Sequence, residues 1–120
     1  MLQAQNTSDL TWIEVQFFKR AVDMIVQSRN TLKWSYVFAY YMKKTNHKTI
    51  FEDNQRDLEL ATEQLSGLIE TPIFSESIAD LRKLVLNKSV YVGQRLETLI
   101  DDTAKGLQEG RWEFKGSNDI

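Results

Sequence analysis

The stretch WSYVFAYYMKKTNHKTIFEDNQ, residues 34–55, decides the fold. Trp34, Val37, Phe38 and Tyr41 recur at i, i+3, i+4 and i+7, a spacing that gathers side chains on one face of an α-helix. Strict alternation of Trp34, Tyr36, Phe38 and Tyr40 would also suit a strand, and aromatic residues favour strands. The helical reading prevails because the flanking sequence carries Leu, Glu, Gln, Lys and Arg at helical spacing, which leaves a lone strand no partner. Trp34, Phe38 and Tyr41 are then expected in the core. Residues 43–48, KKTNHK, are polar and lack apolar period, so the helix is expected to end near Lys43, its lysines complementing the unpaired carbonyls. Thr49-Ile50-Phe51-Glu52 fits a capping box, which starts a second helix at about residue 51.

Upstream of this stretch, residues 1–7 are polar and unpatterned and read as a frayed, disordered end. Ser8 or Thr11 could cap the first helix. Ile13, Phe17, Ala21, Met24 and Ser28 mark one of its faces and Val15, Phe18, Val22 and Val26 another, so it is apolar almost all round. Such a helix is central in its domain or is covered by something outside the chain. Downstream, the second helix buries Leu58, Ala61, Thr62, Leu65, Leu68 and Ile69 and turns Glu52, Arg56, Glu59 and Glu63 outward. Thr71-Pro72 ends it. A third helix begins near Ser75 or Ser77 with Glu76 and Asp80 in its first turn, and continues through Ile78, Leu81, Val85, Val92, Leu96, Leu99, Thr103 and Leu107. Asn87 and Gly93 invite a distortion in that run, and Gly110 stops it. Trp112 and Phe114 fold back onto the bundle, and residues 116–120 form a loose tail.

These spans, about 8–43, 51–70 and 75–109, give an all-α, antiparallel bundle of three main helices within one domain, residues 8–115. Short connections force an up, down, up order. The first helix is roughly 50 Å long and the second roughly 30 Å, so the N-terminal half of the first projects beyond the second. The competing arrangement is a first or third helix kinked and folded onto itself. Trp34, Phe38, Leu58, Leu65, Leu81 and Leu96 are expected to share one core.

SYVFAYYMKKTNHKTIFEDNQRDLELATEQLSG, residues 35–67, resembles the Ariadne domain of the Ariadne subfamily of RING-between-RING (RBR) ubiquitin ligases. The similarity extends upstream through TWIEVQFFKRAVD, residues 11–23, and more loosely downstream to residues 110–114. It implies a regulatory domain that folds back on the catalytic RING2 cysteine module of its own ligase and holds it inactive. Release by a partner such as a neddylated cullin-RING complex follows by the same resemblance, as do dealings with a conjugating E2 enzyme and ubiquitin through the whole protein. More helical sequence precedes the WIEVQF-like motif in that family, so the chain reads as the C-terminal part of such a domain, lacking its upstream helices. Trp12, Val15, Phe18 and Val22 are then candidate interface residues, joined by Glu52 and Glu59 on the second helix. In the resembling ligases, the glutamate of the ATE-LSG motif, here Glu63, makes the autoinhibitory contact. The alternative from another class is a stand-alone helical adaptor that binds a peptide or partner helix.

Composition narrows the chemistry. The 120 residues include no cysteine, so the chain has no disulfide, no thiolate zinc site and no cysteine nucleophile. By resemblance, the zinc and catalytic cysteine of such ligases belong to RING modules outside this sequence, and no cofactor is expected within it. His47, the single histidine, has no companion at metal spacing. Asp101-Asp102 and Glu52-Asp53 are adjacent pairs that point about 100° apart on a helix, unsuited to shared acid and base work. A formal charge of −2 gives no field for nucleic acid, and Lys43, Lys44 and Lys48 read as a solvated helix end. No apolar run spans a bilayer, so neither membrane nor nucleic acid is an expected partner, and the expected location is the cytoplasm, with the nucleus also open.

Overall fold

The structure is a computed structural model that describes residues 2–71 and 78–116, with side chains at 12–13, 15–71 and 79–116. Three helices follow one another, α1 (Leu2–Tyr40), α2 (Asn46–Ile69) and α3 (Ile78–Glu109), each touching the other two. The bundle is long and thin, 71 × 22 × 20 Å, because α1 alone runs for about 58 Å. Arg29 of α1 meets Glu63 near the end of α2, whereas Phe17 and Met24 of α1 meet Arg82 and Gly93 of α3. The α1 residues before Ala21 therefore lie beyond the end of α2, and among the described residues the start of α3 is beside them. No kink divides α1 at residues 27–30, and α3 passes through Asn87 and Gly93 without a break.

The helix limits differ from the expected ones at three places. Helical backbone reaches back to Leu2, through residues 2–7 expected to fray; Leu, Gln and Ala are good helix formers even where nothing gives them an apolar period. At its other end α1 stops at Tyr40, not near Lys43. The backbone of residues 41–43 is drawn off by residues 113–115: Lys43 N donates to Glu113 O at 2.7 Å, and Lys115 N donates to Tyr41 O at 2.7 Å. The start of α2 is earlier too. Thr45 is its N-cap, with extended backbone and its hydroxyl accepting from Lys48 N at 3.2 Å, so Thr49 and Glu52 lie inside the helix and form no capping box. Thr49 instead donates its hydroxyl back to Thr45 O at 3.4 Å. The expected caps at Ser75 and Ser77, with Glu76, fall outside the described residues, as do residues 117–120.

The buried line of α1 is not the aromatic stripe. Trp34 is 42% exposed and Tyr41 40%, while Phe38 is partly buried. Ala21, Ile25, Ser28, Leu32, Ser35 and Ala39 are buried instead, at alternating steps of four and three, and Met42 continues the line just past the helix end. Three helices that approach closely leave room along the seam for small residues, and the large rings sit at its flanks. The polar members are partly satisfied in place: Ser35 donates to Leu32 O at 2.8 Å and accepts from Gln55 Nε2 at 2.9 Å. Phe51, Leu58, Leu65, Val85, Val92 and Leu99 complete the core, with Leu81 and Leu96 as expected. Leu107 is exposed, and Gly106 holds the inward position in its stead.

Gly106 is there for Trp112. The indole packs so closely on it that a Cβ would overlap the ring, and Trp112 Nε1 donates to Thr103 O at 2.9 Å. The chain reverses at Gly110, whose φ of 68° is the left-handed conformation of a Schellman stop: Gly110 N donates to Leu107 O and Arg111 N to Gly106 O. Arg111 bonds Asp102 at 3.0 Å, a contact that raises its pKa further. Residues 111–115 then cross to the α1–α2 junction. There Phe38 meets the rings of Phe51, Trp112 and Phe114 at 5.5, 6.2 and 5.3 Å.

Candidate interaction surface

The residues one step round from the buried line of α1 reach outward across α2. Arg29 follows Ser28, and its Nη2 donates to Glu63 Oε1 at 3.2 Å and to Ser66 Oγ at 3.4 Å. Tyr36 follows Ser35 and shares the seam with Glu59. Partial burial, then the neighbouring Glu59 carboxylate, push the Tyr36 phenol from 10.0 up to about 12. Tyr36, Tyr40, Glu52, Gln55, Arg56 and Glu59 line a groove of about 430 Å³ along this seam. Glu52, Glu59 and Glu63 are all exposed, as the α2 periodicity requires. Glu63, turned outward as expected, has a partner within the chain in Arg29. Sequence reasoning missed Arg29 and Tyr36. The signal was present in the i, i+7 repeat of Ser28 and Ser35, which places the following residues on the flank of the seam.

Past the end of α2 the same flank of α1 is carried on by Val22 and Val15, seven and fourteen residues before Arg29, and nothing described stands opposite. Val15 is 57% exposed and Trp12 67%, with Ile13, Val22 and Val26 also open. Phe18 is half-buried and stacks edge-on against Phe17 at 5.7 Å. On the α3 side, a shallow cleft of about 270 Å³ opens between Phe17 and Met24 of α1 and Leu86 and Val90 of α3. The expected interface residues thus fall in separate groups: Val15, Phe18 and Val22 towards the flank that continues the seam, Trp12 in a cleft with Ile13, Gln16, Phe17 and Arg20, and the charged set on α2 that includes Glu63.

His47 turns its ring edge-on to Trp112 at 6.3 Å, a packing contact. Among the described residues no group of three or more His, Cys, Asp or Glu is placed to hold a metal, and no helix is long and apolar enough to cross a membrane. An apolar face bordered by fixed charges is instead the anatomy of a protein interface, apolar at its centre and polar at its rim.

Comparison with known proteins agrees with this architecture. The Ariadne domain model matches residues 3–103. The chain belongs to the Ariadne domain family. It is 56% identical over 114 residues to the E3 ubiquitin-protein ligase dbl4 of Schizosaccharomyces pombe, covering 95% of this chain and 23% of that protein. Identity to the Drosophila melanogaster E3 ubiquitin-protein ligase ariadne-1 is 45% over 113 residues, covering 94% of this chain and 22% of the relative. Human E3 ubiquitin-protein ligase ARIH1 is 42% identical over 113 residues, covering 94% of this chain and 20% of its own length. This Ariadne domain chain thus spans about a fifth of the length of the curated relatives it matches, and the match takes in both the bare segment of α1 and the seam with α2.

Proposed function

We propose that the chain is the regulatory Ariadne domain of an RBR E3 ubiquitin ligase, packing on the catalytic RING2 cysteine module and holding it inactive. A partner such as a neddylated cullin-RING complex releases it, and the whole protein works with an E2 and ubiquitin. The observation that carries this reading is Glu63: within a domain whose relatives are E3 ubiquitin-protein ligases, its carboxylate stands outside the core, 61% exposed, at the edge of a bare apolar face. A carboxylate so placed accepts charge-assisted hydrogen bonds, each worth about 1.5–3 kcal/mol. Such a contact sets the balance between a closed and an open ligase without contributing to the fold of its own domain. Further helical sequence of the same domain covers Trp12, Val15, Phe18 and Val22.

The test is ubiquitin transfer by the full-length protein in the absence of its activator. Glu63→Ala is expected to raise transfer about tenfold or more, from the loss of one such bond, with thermal melting of the 120-residue chain unchanged. Equal restraint in wild type and variant, at matched stability, rules the role out.

A further inference from the structure

A glutamate on an exposed helix face has three rotatable side-chain torsions, and fixing them against a partner costs rotamer entropy. Glu63 is already restrained before any partner arrives. Arg29 reaches it from α1, and the same Nη2 touches Ser66 Oγ one turn along α2, so the guanidinium is braced against two residues of the facing helix. The contact is a single N–H to Oε1, not the two-pronged fork that would occupy both carboxylate oxygens. Oε2 makes no hydrogen bond among the described residues, which leaves it able to accept from elsewhere while Arg29 keeps Oε1. With side chains 52% and 61% exposed, the pair is worth little to the fold itself. The pair nonetheless ties one carboxylate oxygen to α1 across the α1–α2 seam and leaves the other for a partner.

We propose that Arg29 is the positioning residue for the Glu63 contact: it holds the carboxylate in the orientation that the catalytic module meets and stays paired with it in the closed ligase. This rests on the inhibitory reading of Glu63 given above. Preorganisation of this kind acts by reducing the ordering cost at the moment of binding. Its size is that of an exposed ion pair, so removing Arg29 is expected to raise unstimulated transfer about two- to fivefold, less than removing Glu63.

The test measures unstimulated ubiquitin transfer by the full-length protein for Glu63→Ala, Arg29→Ala, Arg29→Lys and the Glu63→Ala, Arg29→Ala double variant, with melting of each. The expected pattern is a rise in Arg29→Ala, most of the restraint kept in Arg29→Lys, and a double variant no more active than Glu63→Ala alone, all at unchanged melting. The lysine rescue and the non-additivity separate positioning from a merely structural role. If Glu63→Ala is elevated but Arg29→Ala matches wild type, the inference fails and the role of Glu63 stands. Activity of Arg29→Ala below wild type means that Arg29 competes with the module for the carboxylate, which also overturns it. A double variant above Glu63→Ala means that Arg29 acts independently of Glu63, with the same consequence. If Glu63→Ala itself is unchanged, the inhibitory reading falls and the inference with it.

Discussion

The two ends of α1 are built to opposite rules. At its C-terminal end, Phe38, with Met42 just beyond the helix, is enclosed by the start of α2, the end of α3 and the returning residues 111–115, the Phe38 ring meeting those of Phe51, Trp112 and Phe114 and main-chain hydrogen bonds closing the junction. At its N-terminal end, Trp12, Val15 and Val22 are exposed, and among the described residues the beginning of α3 is what lies alongside. The difference teaches where stability resides and where interaction surface remains. Area buried within the chain holds the fold, and area left bare is available to a partner.

Two tryptophans give the sharpest contrast. Trp112→Ala removes a buried indole, its hydrogen bond to Thr103 and the filling over Gly106. It is expected to cost about 3–5 kcal/mol in urea unfolding. Trp12→Ala, at the open end, is expected to stay within about 0.5 kcal/mol of wild type in the same measurement, as surface changes usually do. Comparable losses from both would erase the distinction. A smaller contrast lies within the aromatic stripe itself. Phe38→Ala opens the closed junction and should cost about 2–3 kcal/mol, the lower part of the range for core aromatics because the ring is only partly buried. Trp34→Ala, four residues earlier and 42% exposed, should cost less, about 1 kcal/mol.

The smallest effect expected is at the seam between the two ends, where Tyr36 stands beside Glu59. The phenol is protonated in folded and unfolded chain alike below pH 10, so its contribution is fully present there. Above that pH the unfolded chain ionises first, and the contribution is lost as pH rises through about 12. Tyrosinate absorbance, compared between wild type and Tyr36→Phe, should show Tyr36 ionising above the usual phenol range, and Glu59→Gln should lower its pKa. An ordinary titration of Tyr36 would show that the seam contact is absent in solution.

Much of the closed end was legible in advance. The α2 face of Leu58, Ala61, Thr62 and Leu65, the stop at Gly110 and the return of Trp112 follow from period and turn chemistry that act within a few residues. The limits of α1 and α2 were not legible in the same way. The end of α1 at Tyr40 is set by hydrogen bonds to residues 113–115, more than seventy residues away, which no local pattern encodes. The α1 stripe was misread because large rings attract attention, whereas the close seam selects Ser28, Ser35 and Ala39. That error concealed the candidate site as well. Glu63 was reached by family resemblance and Glu59 by its place on α2, but Arg29 and Tyr36 flank the small-residue line and come into view only with it.

Side-chain hydroxyl-radical footprinting, on the full-length ligase with and without its activator and on the 120-residue chain alone, tests the central claim most directly. The account predicts that Trp12, Val15 and Val22 react readily in the isolated chain and are protected in the full-length protein. The surroundings of Glu63 and Arg29 are predicted to be protected only in the unactivated ligase, and Trp112 in every state. Equal reactivity of the Glu63 seam in the isolated chain and in the unactivated full-length protein would contradict it.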